Sequence, residues 1–204
     1  MIKALILDLN GVLIQSPNLG QRIEQDFGVP EKIFLPVLET IMQRVRQPSA
    51  EDTFSLWQPH LQDWNIPLNQ ETFFDYWFSA AQKNTDMINL LKQVHSQDKH
   101  VFILSNNFKE RTTYYRQHFS FLNELVDKAY FSHETGFIKP DKRAFECIFS
   151  EQDIQPNECL YFDDSQKNVT LGEQLGINSH LFKDADQVAN ILQELNEKAG
   201  PSSN

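Results

Sequence analysis

The 204-residue chain is poor in cysteine, with only Cys147 and Cys159. Such a pair allows one disulfide at most, and a chain of this length does not need one. Both read as buried free thiols, behaving as small apolar residues. Long apolar runs are also missing, since none approaches the roughly 20 residues that a spanning helix requires. The N-terminal run from Ile2 to Leu7 is broken by Lys3 and ended by Asp8. It is too short for a signal peptide and lacks a small-residue cleavage site, so a soluble cytoplasmic protein is expected. Positive charge is scarce, with 18 Lys plus Arg against 28 Asp plus Glu and a net of −10. Phosphate backbones and anionic membranes reward clustered cations, so neither nucleic acid nor membrane is an expected partner. The six histidines form no i,i+4 pair and none sits near a cysteine at zinc spacing. They read as surface or half-buried. No internal repeat or low-complexity tract stands out, and the small polar tail at 199–204 is expected to fray.

Aromatic residues, by contrast, are plentiful, with 16 Phe, 5 Tyr and 3 Trp. That content excludes a disordered chain. All three tryptophans fall between residues 18 and 82, a stretch with helical periodicity and almost no strand signal. Helices are expected near 18–27, 31–46, 51–64 and 70–82. Breaks fall at Gly28-Val29-Pro30, Gln47-Pro48 and Ile66-Pro67, and caps at Ser49 to Asp52 and at Asn69.

The rest of the chain alternates. Apolar runs ending at Asp8, Ser105 and Asp163, with shorter ones near 129–131 and 178–182, read as strands. Helices are expected between them, near 85–96, 109–119, 141–150, 167–175 and 185–197. The pattern predicts an α/β fold: a Rossmann-like parallel sheet flanked by helices, with an inserted all-helical cap. The expected division is a core of residues 1–17 and 83–204 and a cap of residues 18–82.

Four polar groups fall just past strand ends or on a connecting loop: Asp8/Asn10, Ser105/Asn106, Lys139 and Asp163/Asp164. They are far apart in sequence, but a parallel sheet gathers them at the edge where such folds bind ligands. A few carboxylates with water suit Mg²⁺. A hydroxyl and the backbone N–H after it donate to phosphate oxygens, and a lysine neutralises a phosphoryl group. Together they form a phosphoryl-transfer set with a carboxylate able to act as nucleophile.

The motifs Leu5-Ile6-Leu7-Asp8-Leu9-Asn10-Gly11-Val12-Leu13, Ile103-Leu104-Ser105-Asn106, Gly136-Phe137-Ile138-Lys139-Pro140 and Tyr161-Phe162-Asp163-Asp164-Ser165 resemble, in order and spacing, the haloacid dehalogenase superfamily of phosphatases. The helical insert is similar to the small cap of its first subfamily. The Lys139-Pro140 and Asp163-Asp164 pairs resemble the branch of sugar-phosphate phosphatases and the phosphatase domain of soluble epoxide hydrolases.

The resemblance implies a Mg²⁺-dependent phosphatase of a small phosphorylated metabolite, working as a monomer or weak dimer. Asp8 would be the nucleophile, forming an aspartyl-phosphate. Ser105, the Asn106 amide and Lys139 would hold the transferring group. Asp8, the Asn10 carbonyl, Asp163 and Asp164 would serve the metal, with Asp164 favoured as the direct ligand. Asn168 reads equally as a brace of the last motif or as an ordinary first-turn residue.

One position departs from the family, which usually carries Asp two residues after the nucleophile to protonate the leaving oxygen and then activate water. A carboxamide neither gives nor takes a proton near neutral pH. Asn10 therefore leaves three readings open: a slow phosphatase, a non-catalytic protein that binds a phosphorylated ligand or regulates through it, or an introduced change. Asn10-Gly11 is also a pair prone to deamidation, which would recreate the missing Asp.

Overall fold

The structure, a computed structural model, describes residues 2–95, 97 and 99–198. The tail expected to fray, 199–204, lies outside the described residues, as does position 96 at the end of one expected helix.

The chain opens with β1 (Ala4–Leu7) and a short β2 (Ile14–Gln15), then four helices: α1 (Leu19–Phe27), α2 (Glu31–Val45), α3 (Thr53–Asp63) and α4 (Gln70–Phe78). A two-residue strand β3 (Gln82–Lys83) pairs antiparallel with β2. There follow α5 (Thr85–His95), β4 (His100–Ser105), α6 (Lys109–His118), α7 (Phe121–Glu124), β5 (Lys128–Phe131), α8 (Ser132–Thr135) and α9 (Lys142–Gln152). After a 3-10 turn come β6 (Cys159–Asp163), α10 (Gln166–Gln174), β7 (Asn178–Leu181) and α11 (Ala185–Lys198).

Five strands form one parallel sheet in the order β5-β4-β1-β6-β7. Helices cover both faces, and strand alternation sorts the side chains between them. Leu5, Leu7, Val101, Ile103, Leu160 and Phe162 pack with α5 and α11, while Ala4, Ile6, Phe102, Leu104 and Tyr161 pack with α9. The Rossmann-like expectation is met.

Helices α1–α4 share a separate core around Phe34, Trp57, Phe73 and Trp77, into which Phe108 inserts from the loop after β4. Asp52 caps α3 by accepting from Ser55 N at 2.7 Å, and Asn69 caps α4 with a reciprocal Thr72 box. The helix expected over 70–82 stops at Phe78, because residues 82–83 leave it to pair with β2. Two one-turn helices, α7 and α8, were not expected. Cys159 is buried, which pushes its thiol up to about 12. Cys147 is only half-buried, against the expectation of full burial. Neither forms a disulfide, and every histidine is half-buried or exposed.

Candidate active site

Strand register brings the polar groups together. Leu7 pairs with Ile103 on one side and Phe162 on the other, so β1, β4 and β6 end nearly level. Asp8 follows β1 and donates its backbone N–H to Phe162 O at 3.0 Å. Ser105 and Asp163 are the last residues of their strands. Carboxylate oxygens of Asp8, Asp163 and Asp164 lie within 4.8 Å of one another.

Lys139 is the counter-charge. Its buried ammonium donates to Asp163 Oδ2 at 2.6 Å and lies 3.2 Å from Asp8 Oδ1. The Asn106 side chain fixes the backbone beneath it, accepting from Lys139 N at 2.8 Å and donating to Lys139 O at 2.9 Å. Asn106 thus spends its side chain on the Lys139 loop, and only its backbone is free for the phosphate role that the resemblance implies.

The two adjacent aspartates differ sharply. Asp163 is fully buried and accepts from Lys139, the Tyr161 hydroxyl, Ser165 N (2.8 Å) and Asn168 Nδ2 (3.0 and 3.1 Å to its two oxygens). Burial pushes its carboxyl up, but Lys139, Tyr161 and Asn168 outweigh that and hold it below the usual value. Asp164 is exposed as a whole, but its carboxyl is partly desolvated within the cluster, and that, with Asp8 and Asp163 close by, pushes it up. Asp8 is also raised, by burial first, with Lys139 opposing. So Asn168 does brace the last motif. Asp164, with no side-chain donor among the described residues, is the carboxylate left free to bind a cation.

Gly11 explains how close the two loops run. Its φ is +83°, and a Cβ there would stand 2.1 Å from Asp164 Oδ2. Glycine meets both demands at no cost, whereas any other residue strains the backbone and displaces the Asp164 carboxylate.

The Ser105 hydroxyl is buried and makes no well-formed hydrogen bond, although it lies near enough to Asp8 to lower that carboxyl somewhat. A buried donor without a partner is costly in a purely structural role.

Asn10 has partners that the sequence did not signal. Arg111, from the first turn of α6, donates Nη2 to Asn10 Oδ1, and Tyr115 OH lies 3.4 Å from the same oxygen. Arg111 Nε also donates to Tyr115 OH at 2.8 Å. The Gly11 N–H donates to Ile14 O at 2.8 Å. That nitrogen is the atom that must attack Asn10 in deamidation, so the folded chain opposes the reaction the sequence suggests.

A cavity of about 390 Å³ joins these groups, lined by Asp8, Asn10, Asn106, Lys139 and Asp164, and also by Arg46 and Arg111. Neither arginine was singled out from the sequence. A first-turn position after a strand whose end carries Ser105 could have pointed to Arg111. For Arg46, at the end of α2, no sequence signal existed.

Residues 5–182 match the family model of the haloacid dehalogenase-like hydrolases. The chain belongs to that family. This hydrolase is 33% identical over 58 residues to D-ribitol-5-phosphate phosphatase of Bacteroides thetaiotaomicron, covering 28% of each chain. It is 24% identical over 222 aligned residues to bifunctional epoxide hydrolase 2 of Sus scrofa, covering 95% of this chain and 39% of that protein. The matches therefore span well under half the length of these two curated relatives. Its fold is that of a haloacid dehalogenase family enzyme from Bacteroides thetaiotaomicron, at a TM-score of 0.78 and 21% identity, covering 94% of this chain and 98% of that one. Another structure of that enzyme, at a TM-score of 0.77, 20% identity and coverage of 90% and 96%, is a complex with magnesium and inorganic phosphate. Among the described residues no helix is long and apolar enough to cross a membrane.

Proposed function

We propose that the hydrolase is a Mg²⁺-dependent phosphatase of a small phosphorylated metabolite, slowed by Asn10. Residues 1–17 and 83–204 are the catalytic core, and residues 18–82 are a cap that closes the cavity. It works in the cytoplasm as a monomer or weak dimer. The observation that carries the reading is the Asp8–Lys139–Asp163–Asp164 cluster at one sheet edge. The relatives support it: one is a phosphatase and another binds magnesium and phosphate.

Three carboxylates share one lysine, and burial raises two of them. That donor set suits a hard divalent cation. Asp8, the Asn10 carbonyl and Asp164 would hold it, and Asp163, already saturated, would steady Lys139. When bound, magnesium supplies charge that stabilises the phosphoryl oxygens.

The residues then divide the work. Asp8 attacks phosphorus, the ester P–O bond breaks, and Ser105, the Asn106 amide and Lys139 hold the group in transit. The leaving oxygen takes its proton from water, because Asn10 has none to give. A second water attacks the aspartyl-phosphate, the P–O bond to Asp8 breaks, and phosphate departs with Asp8 restored as a carboxylate.

The test is phosphate release from a panel of sugar and polyol phosphates with Mg²⁺. Asp8→Asn abolishes release. Asn10→Asp raises it by about 10²–10⁴-fold, the usual contribution of general acid–base catalysis. Asn10→Asp protein inert on every ester would sink the phosphatase reading and favour the non-catalytic one, which the pinned carboxamide of Asn10 already suits.

A further inference from the structure

The cavity holds more positive charge than its chemistry accounts for. Lys139 is committed to Asp163 and Asp8. Arg46 and Arg111 are not committed to any carboxylate: among the described residues neither has one within 4.0 Å. The other arginines are matched. Arg44, Arg116 and Arg143 each pair with an acid, and Arg22 lies over the Tyr76 ring at 4.2 Å, as Arg111 lies over Tyr115 at 5.3 Å.

Arg46 is the more unusual of the two. Its Nε is buried without a hydrogen-bond partner. Burial and the like charge of Arg111 pull its guanidinium below the ordinary value, and the weaker pull of Asp8 opposes them. Two facing cations, one of them with a buried unpartnered donor, are a costly arrangement. The planar fork of Arg46, without a carboxylate partner, is suited to bind carboxylate or phosphate in two-pronged fashion, and Arg111, with Nε on Tyr115 and Nη2 on Asn10, adds its charge and its remaining nitrogen.

Position separates this pair from the group in transit. Ser105, Asn106 and Lys139 serve that group from the sheet edge. Arg111 comes from α6 and grips Asn10, two residues past Asp8 in the turn that follows β1. Arg46 reaches the cavity from the end of α2, in the helical region.

We infer that Arg46 and Arg111 form a second anion subsite, and that the substrate is a phosphate ester whose leaving group carries its own carboxylate or second phosphate. The inference rests on the phosphatase reading and sharpens it. It separates this chain from its relative named for D-ribitol 5-phosphate, whose leaving group is an uncharged polyol.

A matched trio tests it: glycerol 3-phosphate, 3-phosphoglycerate and 2,3-bisphosphoglycerate. Binding to the intact protein with Mg²⁺ is measured by calorimetry, beside inorganic phosphate. At least one of the two acids binds tenfold or more tighter than glycerol 3-phosphate, about 1.4 kcal/mol. Which one does identifies the second group as carboxylate or phosphate. Arg46→Gln and Arg111→Gln each remove most of that preference, while inorganic phosphate stays within about twofold, well inside that 1.4 kcal/mol. Arg46→Gln also melts about 2–4 °C higher than wild type in anion-free buffer, the shift that a 1 kcal/mol gain gives a chain this size. That rise shows the variant is folded.

Equal affinity across the trio overturns the inference, as does a preference that survives both substitutions. An equal loss for inorganic phosphate overturns it too, since the arginines would then serve the group in transit. Failure of the phosphatase reading looks different: the trio still binds with the expected preference, but Asn10→Asp protein releases phosphate from none of its members.

Discussion

Asp163, fully buried, and Arg46, half-buried with its Nε out of solvent, are charged side chains beside one cavity, yet their surroundings are opposite. At the sheet edge Asp163 receives an ammonium, a hydroxyl, a carboxamide and a backbone amide. Across the cavity the Arg46 Nε receives nothing, and its nearest charged company includes another guanidinium. The sheet edge is therefore assembled by folding itself, whatever the cavity holds. The arginine wall is electrostatically incomplete within the chain. Damage to the first region is expected to appear as lost stability, and damage to the second as lost selectivity.

The comparison breaks most visibly at Lys139. Lys139→Met strands Asp163 as an unpaired buried charge and costs about 3–5 kcal/mol in urea unfolding. A loss below about 1 kcal/mol would place Lys139 with the arginines instead. Asn168→Ala removes one neutral partner from the same carboxylate and costs about 1–3 kcal/mol. Ser105→Ala sharpens the contrast from inside the sheet edge. The hydroxyl is a buried donor with no good partner, so its removal raises stability by about 1 kcal/mol. Affinity for inorganic phosphate falls about tenfold or more, the worth of a hydrogen bond to a charged group. A Ser105→Ala protein that loses stability but keeps its phosphate affinity would contradict this.

The smallest effect lies away from the cavity. Burial lowers His133 and His180 from the ordinary 6.5. Below pH 6.5 the unfolded chain takes up protons that the folded chain refuses, so their contribution is intact above that value and fades below it. The melting temperature falls between pH 7 and 5.5, and His133→Asn with His180→Asn flattens part of the slope. An unchanged slope would remove both histidines from the account.

Much of the sheet edge was legible, because apolar runs end where strands end. Asp8, Ser105 and Asp163 each close such a run, and parallel pairing leaves them one place to meet. Asn69 and Asp52 were legible for a similar reason, since caps act within one turn. What escaped depends on tertiary packing. Arg46 ends an amphipathic helix at a position whose charge alone reads as solvated, and only the placement of α2 turns it toward the cavity. Residues 82–83 continue an aromatic helical pattern, and a two-residue pairing with β2 is too brief to leave a signature. Asn10 was legible as a missing acid but not as a gripped one, because Arg111 lies a hundred and one positions away.

Gly11 carries a lesson for mutational tolerance. Position 10 tests chemistry, and several side chains there would leave a folded molecule with altered turnover. Position 11 tests clearance: the first atom of any side chain would land on the carboxylate of a residue supplied from the far end of the chain. In a saturation library the two neighbours should part company. One would yield a graded series of activities, and the other a loss of the Asp164 position with almost any replacement.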